Sequence, residues 1–120
     1  IIVGNDAVLE IDDRVFMNNF CSFNCLEHIS IGENTLFGEN VKIYDHNHVY
    51  ERTENKLTVS HSEFTKAPVK IGKNCWLGSN VTVLKGVTIG DNCIIGAGCT
   101  IAKDVPANST IINQQELISK

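Results

Sequence analysis

The sequence predicts an all-β fold, a single-stranded parallel β-helix with one extruded loop, and two regularities support this prediction. The first is an aliphatic or small apolar residue at every sixth position, in three runs that together make 13 repeats. The second is an Asn, Asp or Gly three positions after 12 of these 13 residues. The three runs are Val3, Leu9, Val15 and Cys21; Ile31, Phe37 and Ile43; and Ile71, Leu77, Val83, Ile89, Ile95 and Ile101.

The six-residue period itself separates this fold from the alternatives. An amphipathic helix repeats its apolar face at three and four residues, and a long half-buried strand alternates at two. The strands of a β-sandwich, the alternative architecture, recur at about eight to twelve residues with variable turns. Three repeats make one coil, so we expect residues eighteen positions apart to lie one strand spacing from each other, about 4.8 Å.

The residues between the aliphatic positions are those that the corners of a tight coil need. Asn, Asp and Gly adopt a left-handed backbone conformation at low cost, which predicts a turn three residues after each aliphatic position. A small or β-branched residue often follows the turn, and Cys25, Cys75, Cys93 and Cys99 occupy this place. We interpret these thiols as buried corner residues rather than reactive ones.

The cysteine count indicates a reducing compartment. Five cysteines do not form a disulfide framework in pairs, and Cys21 and Cys25 lack the second close ligand pair that is usual in a zinc site. We therefore expect free thiols, no metal and a cytoplasmic location.

Length and charge exclude several classes of protein. A chain of 120 residues and 13.2 kDa allows one domain, and a net charge of −4 argues against a nucleic-acid groove. No apolar run reaches the length of a membrane span, and no signal peptide is visible. The chain begins with Ile1 rather than Met, which is consistent with a missing N-terminal segment.

Residues 45–68 leave the six-residue phase and read DHNHVYERTENKLTVSHSEFTKAP. We predict a β-helix domain over residues 1–112, interrupted by this loop, and a C-terminal tail over 113–120. Loops pushed out of a solenoid wall often carry function. Three of the four histidines lie in this one, and His48 is the candidate general base because imidazole exchanges protons near neutral pH.

Several of these segments resemble a known family. The repeats from Ile71-Gly72 to Ile101, the run Asn74-Cys75-Trp76-Leu77-Gly78-Ser79 and the ending Lys103-Asp104-Val105-Pro106 are similar to those of the hexapeptide-repeat acyltransferases. Among these, the sugar O-acetyltransferases of the galactoside, maltose and nodulation type are the most similar. The stretch Asp45-His46-Asn47-His48 resembles the branch that acetylates surface polysaccharides. The resemblance covers about residues 15–112.

The resemblance implies a left-handed coil, acetyl-CoA as co-substrate and a homotrimer with active sites between subunits. By position in the motif, His48 is the base that deprotonates a hydroxyl of a carbohydrate acceptor, which then attacks the thioester directly. A donor near Ser79 stabilises the oxyanion. The implied cofactor contacts are Trp76, Gly78, Ser79, Ala97, Ala102 and Lys103, and the candidate acceptor contacts are Asn19, Ser22, Asp45, His46, Glu51 and Arg52.

One cofactor contact follows from the repeat as well. Lys85 and Lys103 are eighteen residues apart, so the coil model stacks them on one edge as a paired positive spot for a phosphate. Two departures from the family concern the ends. The chain ends Ile111-Ile112-Asn113-Gln114 in place of the usual Gly-Asn-Pro-Ala stretch, and it has no N-terminal acceptor-binding helices.

Three alternative functions remain at this point. An N-acetyltransferase for an amino-sugar nucleotide would share the fold, cofactor and base. A γ-type carbonic anhydrase has the same coil but binds a metal ion through three histidines between subunits. A non-catalytic assembly scaffold is the third alternative.

Overall fold

A computed structural model describes residues 1–119, and these residues form strands, turns and bends without a helix. Nearly all strands are short, because the chain turns a corner after every few residues. The 16 strands are β1 (Ile2–Val3), β2 (Val8–Ile11), β3 (Phe16–Met17), β4 (Ser22–Cys25), β5 (His28–Ile31), β6 (Leu36–Phe37), β7 (Lys42–Tyr44), β8 (His46–Thr53), β9 (Lys56–Lys66), β10 (Val69–Ile71), β11 (Trp76–Leu77), β12 (Thr82–Val83), β13 (Thr88–Ile89), β14 (Ile94–Ile95), β15 (Thr100–Ile101) and β16 (Thr110–Ile111).

Three parallel sheets form the sides of a solenoid, which confirms the predicted parallel β-helix. We call them face A (β1-β4-β7-β12-β15), face B (β2-β5-β10-β13) and face C (β3-β6-β11-β14-β16). Successive strands of the chain pass from B to C to A and back to B. The connections between them form three corners, named here B/C, C/A and A/B.

The register between coils follows the predicted spacing from β10 to β15, whereas the last pairing, of Ile94 with Thr110, spans sixteen residues. Trp76 pairs with Ile94 and Thr82 with Thr100, both eighteen residues on. In the first half the offset is twenty residues, as between Met17 and Phe37, except between β1 and β4, where Val3 pairs with Cys25, twenty-two residues on. The additional two residues lie in the A/B corner between β4 and β5.

This wider corner corrects the phase of the first run of repeats. Ile11, Met17 and Phe23 pair with Ile31, Phe37 and Ile43, and so occupy the aliphatic position of the repeat. The predicted positions Leu9, Val15 and Cys21 were therefore each wrong by two residues, whereas Asp6, three residues after Val3, is left-handed as predicted, with φ 63°. Leu9, Val15, Met17 and Cys21 all pack against the core and Phe23 is fully buried, whereas Ile11 is 41% exposed.

The corners use left-handed residues as predicted, with the same shift in the first coil. Asn34, Asn40, Asn74, Asn80 and Asn92 all have φ between 56° and 61°. In the first coil the left-handed residues are Arg14 and Phe20 rather than the predicted Asp12 and Asn18, each two residues later.

The core is a column of aliphatic side chains with thiols at the corners. Cys25, Cys75, Cys93 and Cys99 are at most 3% exposed, as predicted, but Cys25 lies at the end of β4, where it pairs with Val3, and not after a left-handed corner residue. Phe23 and Phe37 form an edge-to-face pair with ring centroids 5.7 Å apart.

The insertion predicted as a loop is an antiparallel hairpin. β8 and β9 pair from His46 with Lys66 at the base to Thr53 with Lys56 at the turn. The hairpin leaves the coil at the A/B corner, directly above the wider corner between β4 and β5. It therefore presents His46 and His48 on a paired backbone rather than on an irregular loop.

Candidate active site

The base of the hairpin is anchored by a buried carboxylate. Asp45 is 0% exposed, and its two oxygens accept hydrogen bonds from the backbone N–H groups of Leu26 at 2.8 Å, Glu27 at 2.7 Å and His28 at 2.9 Å. These three groups belong to the wider A/B corner one coil below. The backbone N–H groups of this wider corner thus donate to the side chain of Asp45, the first residue after β7.

The environment keeps Asp45 ionised. Burial by itself would raise the pKa of this carboxyl group, but the N–H groups of Leu26 and Glu27, the ring of His46 and the N–H of His28 together lower it below its usual value. A buried carboxylate with this many donors is stable in its charged form.

His46 connects this anchor to the hairpin. Its Nδ1 lies 3.1 Å from Oδ1 of Asp45, and its side chain is 17% exposed. Its ring meets the ring of Phe64 edge to face at 5.3 Å. His46 is thus held on two sides, and Nδ1 is already occupied by the carboxylate.

His48 is exposed and has a defined ring orientation. Its Nδ1 lies 2.8 Å from the carbonyl oxygen of Ser60, and its ring lies 4.8 Å from that of Phe64. A carbonyl oxygen only accepts hydrogen bonds, so Nδ1 carries the hydrogen. In the neutral imidazole this leaves a lone pair on Nε2, which is the state a general base needs.

Four of the predicted cofactor residues meet at the C/A corner. Trp76, Gly78, Ser79 and Ala97 line one shallow concavity together with Gly38, Ile94, Ile95 and Gly96. Gly78 makes its floor possible, because a Cβ there would lie 2.7 Å from the backbone nitrogen of Ala97. Only glycine allows the two coils to approach this closely.

The other three predicted cofactor residues lie elsewhere, at the A/B corner. Ala102 and Lys103 line a second concavity with Thr100, Ile101, Asp104, Val105 and Ile111. Lys85 follows β12 at the same corner. The strands before Lys85 and Lys103 pair eighteen residues apart, which is the condition for the predicted stacking, and the stacked pair of ammonium groups stays a prediction.

The predicted acceptor residues are spread over three places. Asn19 lies at the C/A corner, where its carbonyl oxygen accepts from the N–H of Asn40, and Ser22 lies on face A. Glu51 and Arg52 are exposed and pair with Thr58 and Leu57 in the outer half of the hairpin. A single chain therefore brings Asp45, His46 and His48 together and leaves the others apart.

Two contributions to this site were missed by the sequence reasoning. Phe64 and Ser60 touch His48, yet they lie twelve and more residues away in the sequence, and only the register of the hairpin shows that they are neighbours. An exposed apolar row on face C was missed as well. It consists of Phe16, Leu36, Trp76 and Ile94, which pair in that order across neighbouring strands.

Two further observations concern residues 1–119. Within this range no group of three or more His, Cys, Asp or Glu side chains is arranged to hold a metal ion, and no helix is long and apolar enough to cross a membrane.

Comparison with known proteins agrees with the geometry. A family model described as bacterial transferase hexapeptide (six repeats) matches residues 68–103. WbbJ of Escherichia coli K12, an O-acetyl transferase provisionally assigned to lipopolysaccharide biosynthesis, is 31% identical over 110 residues, which are 88% of this chain and 56% of WbbJ. Nodulation protein L of Rhizobium leguminosarum bv. viciae is 45% identical over 98 residues, 80% of this chain and 48% of that protein.

A solved structure shares the fold. The hexapeptide-repeat-containing acetyltransferase of Vibrio cholerae O1 biovar eltor, in complex with acetyl coenzyme A, superposes with a TM-score of 0.75 at 26% identity, over 85% of this chain and 54% of the other. The chain spans about half the length of the curated relatives it matches. Residues 68–103 thus carry the hexapeptide repeat of this transferase family, and the same three-sided coil continues on both sides of that segment.

Proposed function

We propose that this chain is the coil domain of an acetyl-CoA-dependent O-acetyltransferase, with residues 1–112 as the domain, 45–68 as its insertion and 113–120 as a tail. The acceptor is a hydroxyl group of a sugar or of a surface-polysaccharide precursor. The observation that carries the proposal is the 2.8 Å contact between Nδ1 of the exposed His48 and the carbonyl oxygen of Ser60, because it places the hydrogen of the neutral ring on Nδ1 and leaves the Nε2 lone pair free. The names of WbbJ and of the Vibrio cholerae protein support acetyl transfer.

The reaction needs one base and no protein nucleophile. His48 Nε2 takes the proton of the acceptor hydroxyl as its oxygen attacks the thioester carbonyl of acetyl-CoA. The tetrahedral intermediate collapses with cleavage of the C–S bond, and the CoA sulfur leaves and takes up the proton from the imidazolium. Burial raises the pKa values of the Cys25 and Cys75 thiols, which makes them poor competing nucleophiles.

The concavity at the C/A corner is the proposed place for the reacting end of acetyl-CoA. Its floor is backbone at Gly38, Gly78 and Gly96, so a narrow chain such as pantetheine fits closely against it. Ser79 lies on the same wall and offers a hydroxyl and an N–H group as candidate donors for the oxyanion. Lys85 and Lys103 are the proposed phosphate contacts.

A complete site requires more than one copy of the chain, and we propose a homotrimer. His48 leaves the solenoid at the A/B corner, whereas Ser79 lies at the C/A corner, and the whole of face A separates them. A neighbouring copy supplies the missing half when its C/A corner meets this hairpin. In a closed ring of copies, the hairpin of each copy meets the C/A corner of its neighbour in the same way at every interface.

Face C is the surface with the character of such an interface. Phe16, Leu36, Trp76 and Ile94 form one outward row and are 57%, 42%, 54% and 41% exposed. The corresponding outward row of face A is polar and consists of Ser22, Lys42, Thr82 and Thr100. A contiguous apolar row beside polar faces marks an interaction surface.

The proposed location is the cytoplasm. The support for this is that all five cysteines are free thiols in the structure, which fits a reducing compartment.

The test is release of free CoA thiol from acetyl-CoA in the presence of simple glycosides, nucleotide sugars and oligosaccharides, with the acetylated product identified by mass spectrometry. His48→Ala is expected to reduce the rate by about 100-fold or more. His28→Gln is the matched control, because that side chain lies on face B with Nε2 2.8 Å from Glu10. Equal rates for wild type and His48→Ala with every acceptor would refute the proposed mechanism.

A further inference from the structure

Two residues of β9 hold the ring of His48. Ser60 accepts the hydrogen of Nδ1 through its carbonyl oxygen at 2.8 Å, and Phe64 packs against the ring at 4.8 Å with an interplanar angle of 44°. Phe64 is also the residue that faces His48 across the two strands. These contacts restrict both the position and the rotation of the imidazole.

Ser60 reaches His48 because β9 bulges at this point. Between the pairs His48–Phe64 and Tyr50–Val59 the register shifts, so that five residue steps on β9 face two on β8. The hydroxyl of Ser60 closes the bulge by accepting from the N–H groups of Ser62 at 3.3 Å and Glu63 at 3.0 Å. Bulges commonly redirect a backbone or side-chain group beside a functional site.

Phe64 also ties this arrangement to the coil. Its ring meets that of His46 edge to face at 5.3 Å and 90°, and His46 is hydrogen-bonded to the buried Asp45. The exposed ring of His48 is therefore connected through packed groups to the rigid A/B corner. An unsupported histidine on a hairpin would instead sample several rotamers and both tautomers.

We propose that Phe64 and Ser60 are positioning residues for His48: Phe64 fixes the ring orientation, and the Ser60 carbonyl, held by its own bulge, fixes the tautomer with Nε2 free. This inference rests on the proposed function, in which Nε2 of His48 is the base. It assigns the two residues no contact with substrate. Their effect is on the fraction of molecules in which the base is ready to accept a proton.

The first measurement needs no activity. Long-range ¹⁵N–¹H NMR spectra of protein labelled at histidine report which ring nitrogen of His48 carries the hydrogen. Wild type is expected to show the Nδ1–H form. Phe64→Leu and Ser60→Ala are expected to show a mixture with Nε2–H, while Phe64→Tyr, which keeps the ring, and Ser60→Thr, which keeps the hydroxyl, restore the wild-type form.

The second measurement is kinetic. Phe64→Leu and Ser60→Ala are expected to lower kcat by about tenfold to a hundredfold and to leave the KM for acetyl-CoA unchanged, because only the base is displaced. Leu57→Ala is the control, since Leu57 pairs with Arg52 near the hairpin turn and touches neither residue. If Phe64→Leu does not fold, as judged by thermal unfolding, Ser60→Ala carries the test alone.

The outcomes are distinct. An unchanged tautomer and an unchanged kcat in folded Ser60→Ala and Phe64→Leu would overturn the positioning roles. Absence of CoA release from wild type with every acceptor, together with the expected NMR result, would leave these two roles intact and refute the proposed reaction instead.

Discussion

The carboxylate of Asp45 lies 3.1 Å from Nδ1 of His46, so that the residue after the last strand of one coil and the first residue of the hairpin are joined side chain to side chain. The same carboxylate caps three backbone N–H groups of the coil below. One buried charge therefore serves both the stability of the A/B corner and the orientation of the hairpin.

Replacing this charge should weaken the fold. Asp45→Asn is expected to lower the free energy of unfolding by about 2–3 kcal/mol. The variant removes the charged acceptor, and the NH₂ group of the new side chain points at backbone N–H groups that need an acceptor. Asp104→Asn is the matched control, since its exposed carboxylate accepts from one N–H group, that of Thr88 at 2.8 Å. We expect the control to cost about 1 kcal/mol or less. Urea unfolding measures both, and equal losses in the two variants would contradict this account.

Asp45 should also make the free energy of unfolding depend on pH in the acidic range. Its pKa is lowered in the folded chain, so the unfolded chain binds this proton more readily. The contribution of Asp45 is therefore fully present above about pH 4 and is lost as the pH falls through the lowered value. The difference in unfolding free energy between wild type and Asp45→Asn should be smaller at pH 3 than at pH 7. A difference that stays constant over this range would show that the charge is not responsible.

The close approach of coils at Gly78 predicts a coupled loss of stability and cofactor binding. Gly78→Ala places a Cβ 2.7 Å from the backbone nitrogen of Ala97, which forces the coils apart and costs about 1–3 kcal/mol. Gly86→Asn is the control, because Gly86 has φ +80° with its nearest neighbour at 3.4 Å, and Asn tolerates that conformation. Thermal unfolding with and without CoA measures both effects. A Gly78→Ala protein with wild-type stability and CoA binding would argue against the concavity as the cofactor site.

The apolar row on face C predicts the oligomeric state. Leu36→Glu puts a charge in the middle of the row, between Phe16 and Trp76, and is expected to yield monomers with greatly reduced acetyl transfer, because each monomer holds only part of a site. Thr100→Glu, an exposed substitution on face A, is expected to leave the assembly unchanged. Sedimentation velocity distinguishes the two. Monomeric wild type with full activity would refute both the interface and the shared site.

The thiols predict a simple pattern of reactivity. Burial raises the pKa of Cys25, with the charge of Asp45 adding to it, and burial likewise raises the pKa of Cys75, so little thiolate is present at neutral pH. Cys93 and Cys99 are buried too, whereas Cys21 is only partly covered. A disulfide reagent should therefore label Cys21 first in native protein and the other thiols only on unfolding, and Cys21→Ala should remove the fast phase. Rapid labelling of several thiols in native protein would contradict this prediction.

The sequence predicted the coil well, because each six-residue repeat contains the residue types that its conformation requires. These are an aliphatic residue inside, a residue that tolerates the left-handed conformation at the corner, and a small residue after it. It failed where one coil departs from eighteen residues. Asp12 and Asn18 have the right chemistry for the turn, yet Arg14 and Phe20 take the left-handed positions, since strand pairing with Ile31 and Phe37 determines the phase. The pairing with the neighbouring coil, which buries the apolar side chains, therefore outweighs the turn preference of Asp12 and Asn18.

The site was predictable in part for a related reason. Asp45, His46 and His48 are adjacent in sequence, so their proximity needed no fold. Ser60 and Phe64 contact His48 only because of the bulged pairing between β8 and β9. The insertion has no periodic sequence pattern from which this pairing could be predicted. The neighbouring copy that we propose to complete the site lies outside the chain, and the apolar row of face C that suggests it is visible only once the strands are stacked.

Phe20 gives the last prediction, because its backbone conformation is unfavourable for a large side chain. It has φ 66° and is 80% exposed, while Asn40 and Asn80, which occupy the same position in the next coils, suit that conformation. Phe20→Asn is expected to stabilise the isolated chain by about 1 kcal/mol, or about 4 °C in Tm. Asn40→Ala is the opposite control and should destabilise, since it also loses the hydrogen bond from Asn40 to Asn80. A decrease in Tm for Phe20→Asn that depends on protein concentration would show that the ring packs against another copy, where its burial offsets the strain of the corner.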